Sequence, residues 1–154
     1  MAILIRNSQK LLKINTRAIK TTIEDLLTFL NLRDRDLSIL FVDNRRMRAL
    51  NKRFFEKDRP TNVISFSYLE DSLPGEVLGD IIVCVERAQE EARDSAMHFY
   101  ERLLGLIIHG LVHIMGYDHE RGEKESRRMK YREKKLMCFA TITVGYRELI
   151  DEKA

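Results

Sequence analysis

Apolar residues recur along this chain in two periods, one of two residues and one of three to four, and the switches between them divide it into short strands and longer helices. Ala2 to Arg6 is short, branched and apolar, the pattern of a strand. Ser8 can cap the next segment, which runs as a helix to about Leu32 with Ile19, Ile23, Leu26, Leu27 and Leu30 on one face. After the charged turn Arg33 to Asp36, the run Leu37 to Val42 predicts a second, mostly buried strand. Asp43 or Asn44 can then cap a basic helix whose inward positions are Met47, Leu50 and Phe54. Pro60 breaks that pattern, and Val63 to Tyr68 alternates as a strand. Glu70 to Gly75, with Pro74-Gly75, reads as a turn or exposed loop. Val77 to Val85 is the last strand, with Gly79-Asp80 marking a bulge or a close approach of another backbone.

The second half is helical. A charged helix from about Glu86 to Ser95 leads to one from about Phe99 to Met115 that has almost no polar face beyond its first turn, so it must be buried on most sides. A further helix spans about Gly122 to Phe139, and the tail to Ala154 adds a short helical segment. This order predicts a single α+β domain over residues 1–154. Its sheet has about four strands of mixed direction and packs with about five helices. The apolar helix lies on one sheet face, and its C-terminal end opens at a cleft beside a sheet edge.

A length of 154 residues, 44% of them hydrophobic, suits one domain with a proper core. No run reaches the roughly 18 apolar residues that a membrane span needs, and the N-terminal apolar run is too short for a signal sequence. The two cysteines, Cys84 and Cys138, lie in apolar surroundings without a C-x-x-C pairing, which predicts two buried free thiols, no disulfide partner and a reducing cytoplasm. Net charge is only +3, but the positive residues are bunched. Asp43 to Arg59 holds seven Lys or Arg against three acids, and Glu120 to Lys135 holds eight against four. Such runs are either solvated helix faces or the footprint of a polyanion.

Candidate chemistry sits at the end of the apolar helix. His109 and His113 are four apart on one helical face, about 6 Å from each other along the axis, so two imidazoles can share one ion. Gly116 can take the left-handed conformation that ends a helix and turn His119 back toward them. The alternative is a hydrogen-bonded core cluster, which leaves several buried ring nitrogens in search of partners. Three histidines plus one water make a catalytic site for one Zn²⁺ per chain, or another divalent ion, and Asp118 is a candidate for orienting the rings. Neutral imidazoles are required, so affinity should fall below about pH 6.5. The spacing also occurs in metzincin proteases, but Gly110 stands where those carry the glutamate base.

Two motifs together, His109-Gly110 through His113 to Gly116-Tyr117-Asp118-His119 and Lys57-Asp58-Arg59-Pro60-Thr61-Asn62-Val63-Ile64-Ser65-Phe66, resemble the YbeY family of bacterial ribosomal RNA maturation endoribonucleases. Leu78-Gly79-Asp80-Ile81 adds to the resemblance, which covers nearly the whole chain. It implies a metal-dependent, single-strand-specific endoribonuclease that helps mature the 3′ end of small-subunit ribosomal RNA and takes part in ribosome quality control. It also implies metal ligands at His109, His113 and His119. One position departs: the family arginine before the Lys-Asp-x-Pro-Thr segment, implicated in activity, aligns with Phe55. Arg53 or Arg59 are its possible substitutes.

Three readings follow: a metal-dependent ribonuclease, a metal-stabilised RNA-binding assembly factor without turnover, and a metallopeptidase. Gly110 speaks against the third. For RNA, the basic segment offers cations for phosphates and a flat ring for bases, with Arg53, Phe55, Lys57 and Arg59 as candidate contacts. Phe54 fits the buried face of its helix, which leaves Phe55 the freer ring. In this picture the segment walls one side of the cleft, and the helix after His119 walls the other.

Overall fold

The computed structural model describes residues 3–68 and 77–151. Strands β1 (Ile3–Asn7), β2 (Asp36–Val42), β3 (Val63–Ser67) and β4 (Val77–Cys84) form one mixed sheet in the order β1-β2-β4-β3. β1, β2 and β4 run parallel, and β3 pairs antiparallel with β4 at the edge. The helices are α1 (Thr16–Phe29), α2 (Asn44–Phe55), α3 (Val85–Asp94), α4 (Phe99–Ile114), α5 (Glu123–Ile142) and α6 (Val144–Asp151), with a 3-10 turn at His119–Arg121.

The two faces of the sheet are covered unequally. Ile3, Leu37, Ile39, Phe41, Ile81 and Val83 point into the main core, which α1 and α4 close and which α3, α5 and α6 extend. This core follows from strand alternation meeting helices with a wide apolar stripe. The opposite face carries only α2, whose Met47 seals a second cluster with Val42, Ile64, Ile82 and Cys84. Because α2 is short, it leaves the far half of that face open among the described residues. Gly79 settles its own ambiguity as a close approach. A Cβ there would lie 2.5 Å from the carbonyl oxygen of Phe66 and 2.7 Å from Cδ1 of Ile114, so the strand edge and the end of α4 meet where no side chain fits. A register shift does occur, between Asp36 and Leu37 of the paired β2.

Two expectations are corrected. α1 begins at Thr16, not after Ser8, because Asn15 accepts from the amide of Ala18 at 3.1 Å and caps it. Ser8 instead binds the carbonyl of Phe41 through both its amide and its hydroxyl. The buried Gln9 amide holds residues 9–12 in a loop by accepting from the amides of Leu11 and Leu12, a local alternative to helix. The described residues form six α-helices, the last of them the short helical segment expected in the tail, which becomes α6 after the chain breaks at Thr143. Gly145 there brings α6 against Thr22 of α1, where a Cβ would stand 2.5 Å from the hydroxyl. Of the two free cysteines Cys84 is buried but Cys138 is exposed, on the solvent side of an amphipathic α5. The turn expected at Glu70 to Gly75 lies outside the described residues.

Candidate metal centre and its surroundings

α4 starts at His98, whose Nδ1 accepts from the amide of Tyr100 at 3.2 Å, so the fourth histidine is a helix cap. Leu103, Leu104, Ile107, Ile108, Leu111 and Val112 are fully buried and fix the helix against the sheet. His109 and His113 emerge one turn apart on its free side. At the C-terminus Gly116, at φ 101°, donates to the carbonyl of His113, and Tyr117 donates to that of Val112. This double bond pattern is the glycine stop that the sequence predicts, and it reverses the chain. Asp118 then accepts from the amide of Glu120 at 2.9 Å and caps the 3-10 turn that carries His119 back.

The three rings converge. Their centroids stand 6.4 Å apart for His109 and His113, 5.7 Å for His109 and His119, and 6.4 Å for His113 and His119. Ligand-capable atoms of His113, Asp118 and His119 all lie within 4.8 Å of one another. Nitrogens bound to one Zn²⁺ at ~2.0–2.1 Å sit about 3.4 Å apart, so a modest side-chain rotation closes this cluster on an ion. Nδ1 of His109 lies 2.6 Å from Oε1 of Glu133 on α5. A carboxylate only accepts, so Nδ1 carries the hydrogen and Nε2 presents its lone pair. Among the described residues, the rings of His113 and His119 have no hydrogen-bond partner. That donor set, neutral nitrogens with one ring held by a carboxylate, fits a divalent transition metal.

A family model described as endoribonuclease YbeY matches residues 4–140. A relative of that name from Geobacter sulfurreducens is 41% identical over 149 residues, covering 94% of this chain and 98% of its own. Another from Syntrophus aciditrophicus is 42% identical over 128 residues, covering 81% and 80%. The chain belongs to the YbeY family. The solution structure of TM1509 from Thermotoga maritima shares its fold, with a TM-score of 0.63 and 30% identity over 88% of this chain and 86% of that one.

Gly110, where the metzincin spacing would place a glutamate, faces β4. A Cβ there would stand 3.0 Å from Cγ2 of Ile81, so the position serves the packing of α4 on the sheet. A side chain at 110 would be driven into the core, away from the histidines.

The basic segment does not act as one wall. Phe54 and Phe55 both gather on Phe66, Phe54 edge-on at 5.2 Å and Phe55 parallel at 6.3 Å. They are equally open, 48% and 47% exposed, so Phe54 is not the buried ring that the helical pattern suggests: it rests on Phe66, and among the described residues nothing covers its other side. The guanidinium of Arg53 lies over Phe54. Lys57 and Arg59 line a different pocket, with Thr61, Asn62 and Arg87, at the start of β3. The other end of β3 meets the histidine helix, where the hydroxyl of Ser67 donates to the carbonyl of Ile114. At ~3.3 Å per residue, the four steps from Val63 to Ser67 put these two ends roughly 13 Å apart. Cations beside the histidines come from the 3-10 turn, where Arg121 pairs with Asp118, and from α5, where Arg127 and Lys130 line an open recess of 490 Å³ together with His119 and Ser126.

Sequence reasoning chose Asp118 as the ring-orienting carboxylate and missed Glu133. A signal existed: Met129, Glu133 and Leu136 fall on one helical stripe, so an acid sits in the inward row of an otherwise basic helix. Asp118 caps the 3-10 turn, and its carboxylate lies with the ligand atoms of His113 and His119, with Arg121 at 3.6 Å.

Proposed function

We propose that this chain is a metal-dependent endoribonuclease for single-stranded RNA, acting in the cytoplasm on the 3′ end of small-subunit ribosomal RNA and in ribosome quality control. The convergence of His109, His113 and His119, with Glu133 behind the first, carries this reading. These three histidines would hold one Zn²⁺, with Asp118 close enough to join them. When bound, such an ion supplies charge stabilisation at a phosphate oxygen and a water more acidic than bulk water. The chain's own residues do the rest. Glu133 keeps the His109 ring in one tautomer and orientation, Arg127 and Lys130 attract and position phosphates beside His119, and the rings on Phe66 offer stacking surfaces to unpaired bases.

An RNA-binding assembly factor without turnover remains the second reading, favoured by Phe55, which the resemblance aligns with the family arginine and which here stacks on Phe66. The peptidase reading has lost its last support, since position 110 faces the sheet. One assay separates them. The purified chain, after metal analysis, is incubated with single-stranded and structured RNA with and without chelator, and the cut ends are mapped. Chelator-sensitive cuts in single strands that vanish in His113→Ala establish the nuclease. Binding without cuts establishes the assembly factor.

A further inference from the structure

The half of the sheet face that α2 leaves bare is a groove of 510 Å³ on the far side of the β3 edge from the histidines. Strand alternation decides what points into it: Ser67 turns toward α4, so its neighbours Phe66 and Tyr68 turn the other way. Leu40, Phe54, Phe66 and Tyr68 give it apolar and aromatic walls. Its polar groups are few and convergent, as in a small-molecule site. Asp80 stands on the floor, opposite Phe66 on one side and Ser38 on the other in the pairing register. The phenol of Tyr68 donates to Oδ2 of Asp80 at 2.9 Å, which fixes the carboxylate and pushes the phenol above its ordinary range. Oδ1 has no partner among the described residues. Arg6 lies at the rim, exposed and without an ion pair among those residues, and Arg53 lies over Phe54.

A flat, aromatic-walled slot with a fixed carboxylate inside and cations at its mouth matches a nucleotide, not a lipid or an acidic peptide. The carboxylate also chooses among bases. Only guanine presents two adjacent N–H donors, N1–H and the 2-amino group, on its pairing edge. Adenine and cytosine set a ring-nitrogen acceptor beside their amino group, and uracil flanks its single N–H with carbonyls, each of which a carboxylate repels. We infer that this groove binds a guanine base of the single-stranded RNA, stacked between Phe54 and Tyr68 and read by Asp80, with Arg6 and Arg53 on the flanking phosphates. The inference rests on the RNA reading above and adds base selectivity to it. A strand folded over the β3 edge places one guanine in the groove and a neighbouring phosphodiester at the histidines, so cuts fall at a set offset from G.

The test uses ligands without a phosphodiester, so that it is independent of cleavage. The full chain is titrated with guanosine and with the 5′-monophosphates of guanosine, adenosine, cytidine and uridine while its amide NMR signals are followed. Guanosine and its monophosphate should both shift the signals of Ser38, Tyr68 and Asp80, the monophosphate binding at least about fivefold tighter than the other three, the discrimination expected of one bidentate pair. Asp80→Asn, which replaces one acceptor by a donor, should abolish that preference, and Tyr68→Phe, an exposed and conservative change, should weaken it with the amide spectrum intact. Equal binding of all four nucleotides, shifts confined to the residues around His119, or a preference that survives Asp80→Asn would overturn the assignment. So would dimerisation through this face that is abolished by Leu4→Asp, at an exposed residue lining the groove, which would give the groove to a second copy of the chain. A guanine preference in a chain that cuts no RNA would sink the nuclease reading and leave the groove assigned.

Discussion

His109 and Glu133 are 24 residues apart in sequence and joined by a 2.6 Å contact between Nδ1 and Oε1, which ties the helix that bears two of the histidines to the helix that follows the third. Both side chains are about one-third exposed, so the contact lies at the wall of the site rather than in the core. Its consequence is for the metal. Glu133→Gln keeps the shape but weakens the hold on the ring, and the affinity for Zn²⁺ or Co²⁺ should fall about 10–100-fold. Competition against a chelating dye measures this directly, and the thermal midpoint should move little. An unchanged affinity would mean that the carboxylate is incidental to the site.

Two glycines set how closely the histidine helix can approach the sheet. Gly79→Ala pushes a methyl group into the carbonyl of Phe66 and into Ile114, the residue after His113, and should cost about 1–3 kcal/mol while displacing the end of α4. Gly110→Glu buries a charge against Ile81 and should cost more, about 3 kcal/mol or above, without creating peptidase activity. Denaturant unfolding gives the two stabilities, and a casein digest checks the second claim. A stable, proteolytic Gly110→Glu chain would contradict the packing described here.

Strands, their mixed sheet and the burial of α4 were legible because period and composition act locally: Leu37 to Val42 and Phe99 to Met115 leave little choice of element. The histidine convergence was legible for the same reason, since a helical turn and a glycine stop fix most of its geometry. What escaped depends on contacts between distant segments. Ser8 looks like a cap until Gln9, folded into its own loop, removes the helix behind it. Phe54 looks buried from the helical pattern, but it lies at the end of α2, where it meets Phe66 and stays half exposed. Lys57 and Arg59, adjacent in sequence to the exposed rings, are carried to the other end of β3 because the left-handed Glu56, at φ 59°, turns the chain back and Asn51 catches the carbonyl of Arg59.

The thiols should behave oppositely. Burial pushes the Cys84 thiol above its ordinary value of 9.0, and its S–H donates to Oδ1 of Asn44, while Cys138 is exposed. A folded-state pKa above the unfolded one contributes stability that is complete below the unfolded value and is lost as pH rises toward the folded one. Burial raises Tyr146 in the same sense. The thermal midpoint should therefore decline from about pH 9 upward and less steeply in Cys84→Ala. A thiol reagent at pH 8 should label one cysteine at once and the second only on unfolding. Rapid labelling of both would show that Cys84 is not sealed in the native state.

On the proposed RNA reading, the two groups of cations should make separable contributions to binding. Arg127 and Lys130 share a recess with His119, so replacing both by Ala should remove two of the proposed phosphate contacts. The slope of log affinity against log salt should flatten by about 1.4, at ~0.7 per single-strand phosphate, and cleavage of bound RNA should slow as the phosphodiester loses its positioning. Lys57 and Arg59 face a pocket at the other end of β3. Their double Ala variant should weaken binding of a long single strand and flatten its salt slope, yet leave the cleavage rate at saturation unchanged. Fluorescence anisotropy across a salt series and single-turnover cleavage read the two quantities independently. If the α5 pair moves neither quantity, those residues are only a solvated helix face and the strand does not pass beside His119. A loss of saturating rate in the Lys57 and Arg59 variant would instead bring that distant pocket into the reaction and refute the separation drawn between the two ends of β3.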